Sequence, residues 1–170
     1  EELMKDLLDK LVKKNIPEAK QGTVASYIPE LDKARKDALG LYIIDVEGNE
    51  YYSGDWDTKF TIQSISKIVT LMLAILDNGE EYVFSKVGME PTGDPFNSIK
   101  KLETSSRRKP YNPLINAGAI AIASMIKGKD VRDRFQRLLD FFRKISEDET
   151  LDVNYKIYCG ESETGNRNRA

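Results

Sequence analysis

Phe60-Thr61-Ile62-Gln63-Ser64-Ile65-Ser66-Lys67-Ile68-Val69-Thr70-Leu71-Met72-Leu73-Ala74-Ile75-Leu76-Asp77-Asn78-Gly79 is the stretch on which the fold turns. From Ser64 to Leu76 it is apolar nearly all round, with Ser66, Lys67 and Thr70 as its polar interruptions. A helix of that composition must be covered on most of its surface, so it predicts a buried element with other segments packed about it. Asp77-Asn78-Gly79 stops it, because glycine accepts the left-handed backbone that ends a helix.

Upstream the pattern changes. Leu41-Tyr42-Ile43-Ile44-Asp45-Val46 is rich in branched and aromatic residues and reads as a strand; Glu47-Gly48-Asn49 is a turn, and Glu50-Tyr51-Tyr52 starts the returning strand. Two strands alone do not make a stable sheet, so further strands are expected from elsewhere. At the start of the chain, Leu3, Met4, Leu7, Leu8, Leu11 and Val12 recur at helical spacing, predicting a surface helix that ends near Asn15-Ile16-Pro17. Downstream, a Gly- and Pro-rich loop over 88–97 precedes a second buried helix over Leu114–Lys127, closed at Gly128. A third, amphipathic helix runs from about Val131 to Ile145, with Phe135, Leu138, Leu139, Phe142 and Ile145 inward. The polar tail from Gly160 to Ala170 reads as a linker. The elements predict an α+β fold, an antiparallel sheet with flanking helices joined to a helical subdomain. The first helix and hairpin would occupy residues 1–60, the helical part 61–150, and the linker 151–170.

Composition narrows the chemistry. The chain has 170 residues, 40% hydrophobic and 32% charged, enough apolar material for one core. Lys and Arg number 26 against 28 acidic residues, so a net charge of −2 argues against nucleic acid or anionic membrane as partner. The basic run Ser105-Ser106-Arg107-Arg108-Lys109 reads as a solvated loop. There is no histidine, which excludes Ser-His-Asp and Cys-His catalysis and imidazole metal ligation within these residues. Cys159 is alone, so no intrachain disulfide or cysteine zinc site can form; this fits a reducing compartment, and a cytoplasmic location is expected. No secretory signal is recognised in Glu1-Glu2-Leu3-Met4-Lys5, and the longest apolar runs fall short of the roughly 20 residues of a membrane span. Phosphate-loop, dinucleotide and calcium-loop patterns are absent, so no metal or organic cofactor is expected.

Without histidine, a hydrolase needs another base for its nucleophile, and a lysine whose ammonium is destabilised can serve. Serine followed three residues later by lysine places both on one helix face. The spacing occurs four times, at Ser64/Lys67, Ser98/Lys101, Ser106/Lys109 and Ser124/Lys127. The second and third lie among charges that keep lysine solvated, and the fourth closes a helix, where the dipole favours the ammonium. Ser64/Lys67 differs. Ser64 would begin its helix, where unpaired N–H groups stabilise negative charge, and Lys67 would sit in a first turn that disfavours a cation. Apolar Ile65, Ile68, Val69 and Leu71 disfavour it further, lowering the lysine pKa toward that of a working base. The residues alone leave a second reading open, and it is the commoner one: Ser64 as a helix cap, with Lys67 reaching to solvent.

The other polar islands are individually ordinary. Asn112 or Asn116 would cap the helix they precede, and a buried Asn116 would need partners. Tyr27 would usually be a core residue, and Glu161 and Asn168 solvent residues.

Taken together, these islands resemble the serine-dependent glutaminases, relatives by fold of serine β-lactamases and penicillin-binding transpeptidases. The matching segments are Val24-Ala25-Ser26-Tyr27-Ile28-Pro29-Glu30-Leu31, Phe60 to Lys67, Gly88 to Ile99, Asn112-Pro113-Leu114-Ile115-Asn116-Ala117-Gly118-Ala119-Ile120 and Glu163-Thr164-Gly165-Asn166-Arg167-Asn168. The resemblance implies Ser64 as nucleophile on the side-chain carboxamide of L-glutamine and Lys67 as its base. Ammonia would leave first, then water would release glutamate from a glutamyl-serine ester. It places substrate-binding positions on Tyr27, Ser64, Asn116, Glu161 and Asn168, with Gln63 in the pocket wall. Glu161 can pair with an α-ammonium, while amides and a phenol can hold a carboxylate. It implies a homo-oligomer too. Members of the family run to roughly twice this length, an ordinary domain size. The chain is therefore expected to be the front of such a protein, with two further active-site tyrosines and a second oxyanion N–H lying beyond it.

Two other readings compete. A penicillin-recognising acyl-serine protein would share the pair, but its Ser-Asp-Asn and Lys-Thr-Gly segments are not found. A binding or assembly module would keep Ser64 as a cap and leave the Lys67 ammonium exposed and far from the Ser64 hydroxyl.

Overall fold

The antiparallel hairpin forms where the branched and aromatic residues stand. Strands β1 (Gly40–Ile44) and β2 (Glu50–Gly54) pair with Tyr42 opposite Tyr52 and Ile43 opposite Tyr51. Its turn is built by Asp45, whose carboxylate accepts from the N–H groups of Glu47 (3.0 Å) and Asn49 (2.8 Å) and from the Asn49 side chain (2.9 Å). Gly48 supplies the left-handed residue, at φ 86°. In this computed structural model, residues 2–98 and 109–165 are described, and among them the sheet has two strands. The chain divides into two compact units, Glu1–Thr61 with Asn154–Thr164, and Ile62–Val153 with Gly165–Ala170.

In the first unit, helix α1 (Glu2–Ala19) packs on β2 through buried Leu8 and Val12, and the Ser53 hydroxyl donates to Asp9. The buried seam is narrower than the hydrophobic spacing predicts, for Leu3 is 84% exposed and Leu7 and Leu11 are also exposed. The helix does not end at Pro17 but runs two residues past it. Proline forfeits only the bond to the carbonyl four residues back, and in a last turn this is a small loss. The segment expected as a linker is corrected as well: its residues Tyr155–Thr164 form helix α6, with Gly160 buried. A Cβ on Gly160 would lie 3.2 Å from Ile28 Cγ2 and 2.2 Å from Glu30 Oε2, so α6 lies tightly against the Ile28–Glu30 segment.

The second unit is helical. After a 3-10 turn (Gln63–Ile65) come α2 (Ser66–Asn78), α3 (Glu80–Lys86), α4 (Asn116–Ser124) and α5 (Val131–Ser146). Its core is Ala74, Val83, Val87 and Ile122, with Leu71, Ile75, Ala121 and Met125 around them. Gly79, at φ 84°, ends α2 as expected. The burial of α2 is one-sided: Thr70, Leu73 and Ala74 are covered, while Ile68, Met72 and Leu76 are exposed. Helix α4 is shorter than the predicted Leu114–Lys127, because the Asn112 side chain accepts from the N–H groups of Leu114 (3.0 Å) and Ile115 (3.2 Å). That turn holds residues 113–115 outside the helix. Gly118 then packs against it; a Cβ there would stand 1.9 Å from Asn112 O. Helix α5 starts at Asp130, which caps the Asp133 N–H at 2.8 Å. It buries Leu139 and half-buries Leu138 and Phe142, whereas Phe135 and Ile145 are exposed rather than inward.

Candidate active site

Ser64 does not begin an α-helix. It sits in the middle of the 3-10 turn Gln63–Ile65, and α2 starts two residues later at Ser66. The turn opens with Gln63 at φ 44°, a left-handed conformation that costs a residue with a Cβ and marks stored strain. Its closure depends on Ser66, whose N–H donates to the carbonyls of Gln63 and Ser64, and whose hydroxyl donates to Gln63 O at 2.7 Å. Ser64 itself is exposed.

Lys67 follows in the first turn of α2 and is half-buried. Its ammonium donates to Leu114 O and to Asn116 Oδ1, both at 2.8 Å, and lies 5.5 Å from the centre of the Phe96 ring. Burial pushes its pKa below the ordinary lysine value. Among the described residues no hydrogen bond joins it to the Ser64 hydroxyl. A neutral amine still carries two N–H donors, as many as these two acceptors require, and leaves its lone pair for an incoming proton. The environment can therefore hold either protonation state without orphaning an acceptor.

Asn116 is the first residue of α4, and its N–H donates to Phe96 O at 2.9 Å. The cap role expected of Asn112 or Asn116 falls to neither: the Asn112 side chain holds the turn before α4, the cap position Ile115 makes no side-chain cap bond, and the Asn116 side-chain oxygen accepts from the lysine. Two partners escaped the sequence reading, Leu114 O and the Phe96 ring. A backbone carbonyl carries no sequence signal; Phe96 lay within a matched loop but had no charge or periodicity to mark it.

Tyr27 and Glu161 belong to the first unit. Tyr27 is 61% exposed, so the core role usual for tyrosine is taken by its neighbour Ile28, at 0%. Glu161 follows Gly160 on α6 and is exposed, so the contact of Gly160 with Ile28 ties the helix of Glu161 to the segment of Tyr27. Asn168 lies outside the described residues. No group of three or more Cys, Asp or Glu side chains placed to hold a metal ion occurs among the described residues.

The family model for glutaminase matches residues 22–170. A glutaminase of Fusobacterium nucleatum subsp. nucleatum is 71% identical over 165 residues, 97% of this chain and 54% of its own length. One from Alkaliphilus metalliredigens is 55% identical over 167 residues, 98% of this chain and 55% of its own length. The chain thus spans about half the length of the curated relatives it matches. Among solved structures, a probable glutaminase of Bacillus subtilis superposes with a TM-score of 0.86 at 33% identity, over 97% of this chain and 50% of that one. A covalent complex of a B. subtilis glutaminase with 5-oxo-L-norleucine, formed from 6-diazo-5-oxo-L-norleucine, superposes with a TM-score of 0.80 at 28% identity, over 97% of this chain and 50% of that one. The fold class is accordingly α+β, of the serine β-lactamase-like kind.

Proposed function

The chain belongs to the glutaminase family, and from that premise we propose that it carries the nucleophile and base of an enzyme hydrolysing L-glutamine to L-glutamate and ammonia. The observation that carries this reading is the half-buried Lys67 amine, held by Leu114 O and Asn116 Oδ1 three residues after an exposed serine. The Ser64 hydroxyl attacks the carboxamide carbon while Lys67 takes its proton. The C–N bond then breaks, the proton passes to the leaving nitrogen, and ammonia departs. Water attacks the glutamyl-serine ester, giving up a proton through the same amine, and glutamate leaves as Ser64 regains its hydrogen. The Ser64 N–H is one oxyanion donor for both tetrahedral intermediates.

Asn116 fixes the lysine and contacts substrate. Tyr27, Gln63, Glu161 and Asn168 complete the substrate contacts, with Glu161 taking the α-ammonium by charge-assisted hydrogen bonding. Homo-oligomerisation and a cytoplasmic location form part of the same reading and rest on the family likeness. None of the helices among the described residues is long and apolar enough to cross a membrane.

The test is ammonia release from L-glutamine by the complete gene product beside its Ser64→Ala variant. The variant is expected to lose activity to background, and undiminished release would exclude Ser64 as nucleophile.

A further inference from the structure

We propose that Ser66 is a positioning residue that aims the Ser64 N–H at the developing oxyanion, by clamping the carbonyl on the far side of the same peptide unit. This rests on the reading of Ser64 as nucleophile. The peptide joining Gln63 to Ser64 is planar and trans, so its C=O and N–H point in opposite directions along one rigid unit. Fixing the Gln63 carbonyl therefore fixes the Ser64 N–H. Ser66 fixes it twice, with its own N–H and with its hydroxyl at 2.7 Å.

The clamp has something to resist. Gln63 stands at φ 44°, one of two non-glycine residues with positive φ among those described, and such a backbone persists only where its surroundings over-determine it. Relaxing it rotates the very peptide that carries the oxyanion donor. A carbonyl that accepts two hydrogen bonds is also more strongly polarised, which makes the N–H of that peptide a better donor. Ser66 is itself held, since Thr70 Oγ1 donates to Ser66 O at 2.8 Å.

The same local bond occurs elsewhere without that consequence. Ser85 Oγ donates to Tyr82 O at 2.7 Å within α3, where the accepting residue has ordinary helical geometry. Serine hydroxyls often bond back onto the preceding turn, and there the bond has little to hold. Ser66 differs only in whose carbonyl it grips.

The experiment measures kcat and KM for L-glutamine, and the melting temperature, of the complete gene product and its Ser66→Ala, Ser66→Thr and Ser85→Ala variants. Removing an oxyanion donor outright costs on the order of 100- to 1,000-fold in rate, so misaiming one is expected to cost about 10-fold. Ser66→Ala should lower kcat by that factor with KM within about twofold, Ser66→Thr should restore it, and Ser85→Ala should match the wild type. Wild-type kcat in Ser66→Ala would overturn the proposal, as would a kcat loss that threonine does not restore or that Ser85→Ala shares at equal thermal stability. A wild-type protein inactive on glutamine would instead refute the functional reading beneath it.

Discussion

At the scale of the residue, the proposed reaction turns on the protonation of Lys67. Burial disfavours the ammonium, so its pKa lies below the ordinary lysine value, and the unprotonated amine proposed to accept the serine proton becomes populated at lower pH. The sign follows directly: kcat/KM should rise with pH through the lowered pKa and level off above it. Lys67→Arg tests the same point, since a guanidinium keeps its charge at every accessible pH and cannot act as base. Its kcat is expected to fall by at least about 100-fold, the lower range for losing a general base, and raising the pH should not recover it. A rate profile flat from pH 5 to 10 in the wild type would contradict the assignment. Apolar neighbours and a first-turn position made the lysine a candidate in the sequence, and only the family resemblance made it the favoured one. Its partner Leu114 O was not legible there, because a backbone acceptor has no residue type.

At the scale of the element, the end of α2 is tied by one carboxylate. Asp77 accepts from both terminal nitrogens of Arg137 on α5, at 2.7 and 2.8 Å, and from the Lys127 N–H at 2.8 Å. Arg137 also donates to Lys127 O, so α2, α5 and the segment after α4 meet at one ion pair. The Asp77 side chain is 9% exposed, and the hydrogen bond from Arg137, first among its partners, holds its pKa below the ordinary carboxylate value. A lowered carboxyl pKa contributes stability that is present above the unfolded value near 4 and lost as pH falls through the folded one. Asp77→Asn should therefore cost about 1.5–3 kcal/mol at pH 7, as for hydrogen bonds to a charged group, and less at about pH 3, where the unfolded carboxyl is already mostly protonated. Denaturant unfolding at the two pH values checks it; equal costs at both would refute it. The sequence showed Asp77 only as part of a stop signal. Its pairing lies 60 positions along the chain, beyond any periodicity. Local patterns did place α1, α2, α4, α5 and the hairpin, missed α3, and erred where tertiary packing decides. Examples are the exposed face of α2, the run of α1 past Pro17, and α6, whose burial of Gly160 polar composition concealed.

At the scale of the whole molecule, the proposed catalytic pair and two of the proposed recognition residues, Tyr27 and Glu161, fall in different stretches of chain. Ser64, Lys67 and Asn116 belong to the helical unit, and Tyr27 and Glu161 to the hairpin unit. No single window of sequence displays such a set. It became legible only when separate blocks were read together, because short polar islands have ordinary structural uses one at a time. The division has a kinetic signature. An interaction made equally in ground and transition states sets KM, whereas one made only at the reacting centre sets kcat. Glu161 can pair with the α-ammonium of glutamine, remote from the carboxamide under attack, so its charge should act on binding. Glu161→Gln removes that charge at nearly constant shape and is expected to raise KM at least about 10-fold, the loss of roughly one strong charge-assisted hydrogen bond, with kcat within a few-fold. The complementary probe is a substrate analogue lacking the α-amino group, which should be poor for the wild type and lose little further in the variant. If Glu161→Gln instead lowered kcat with KM unchanged, the carboxylate would belong to the reacting centre and the division of roles drawn here would be wrong.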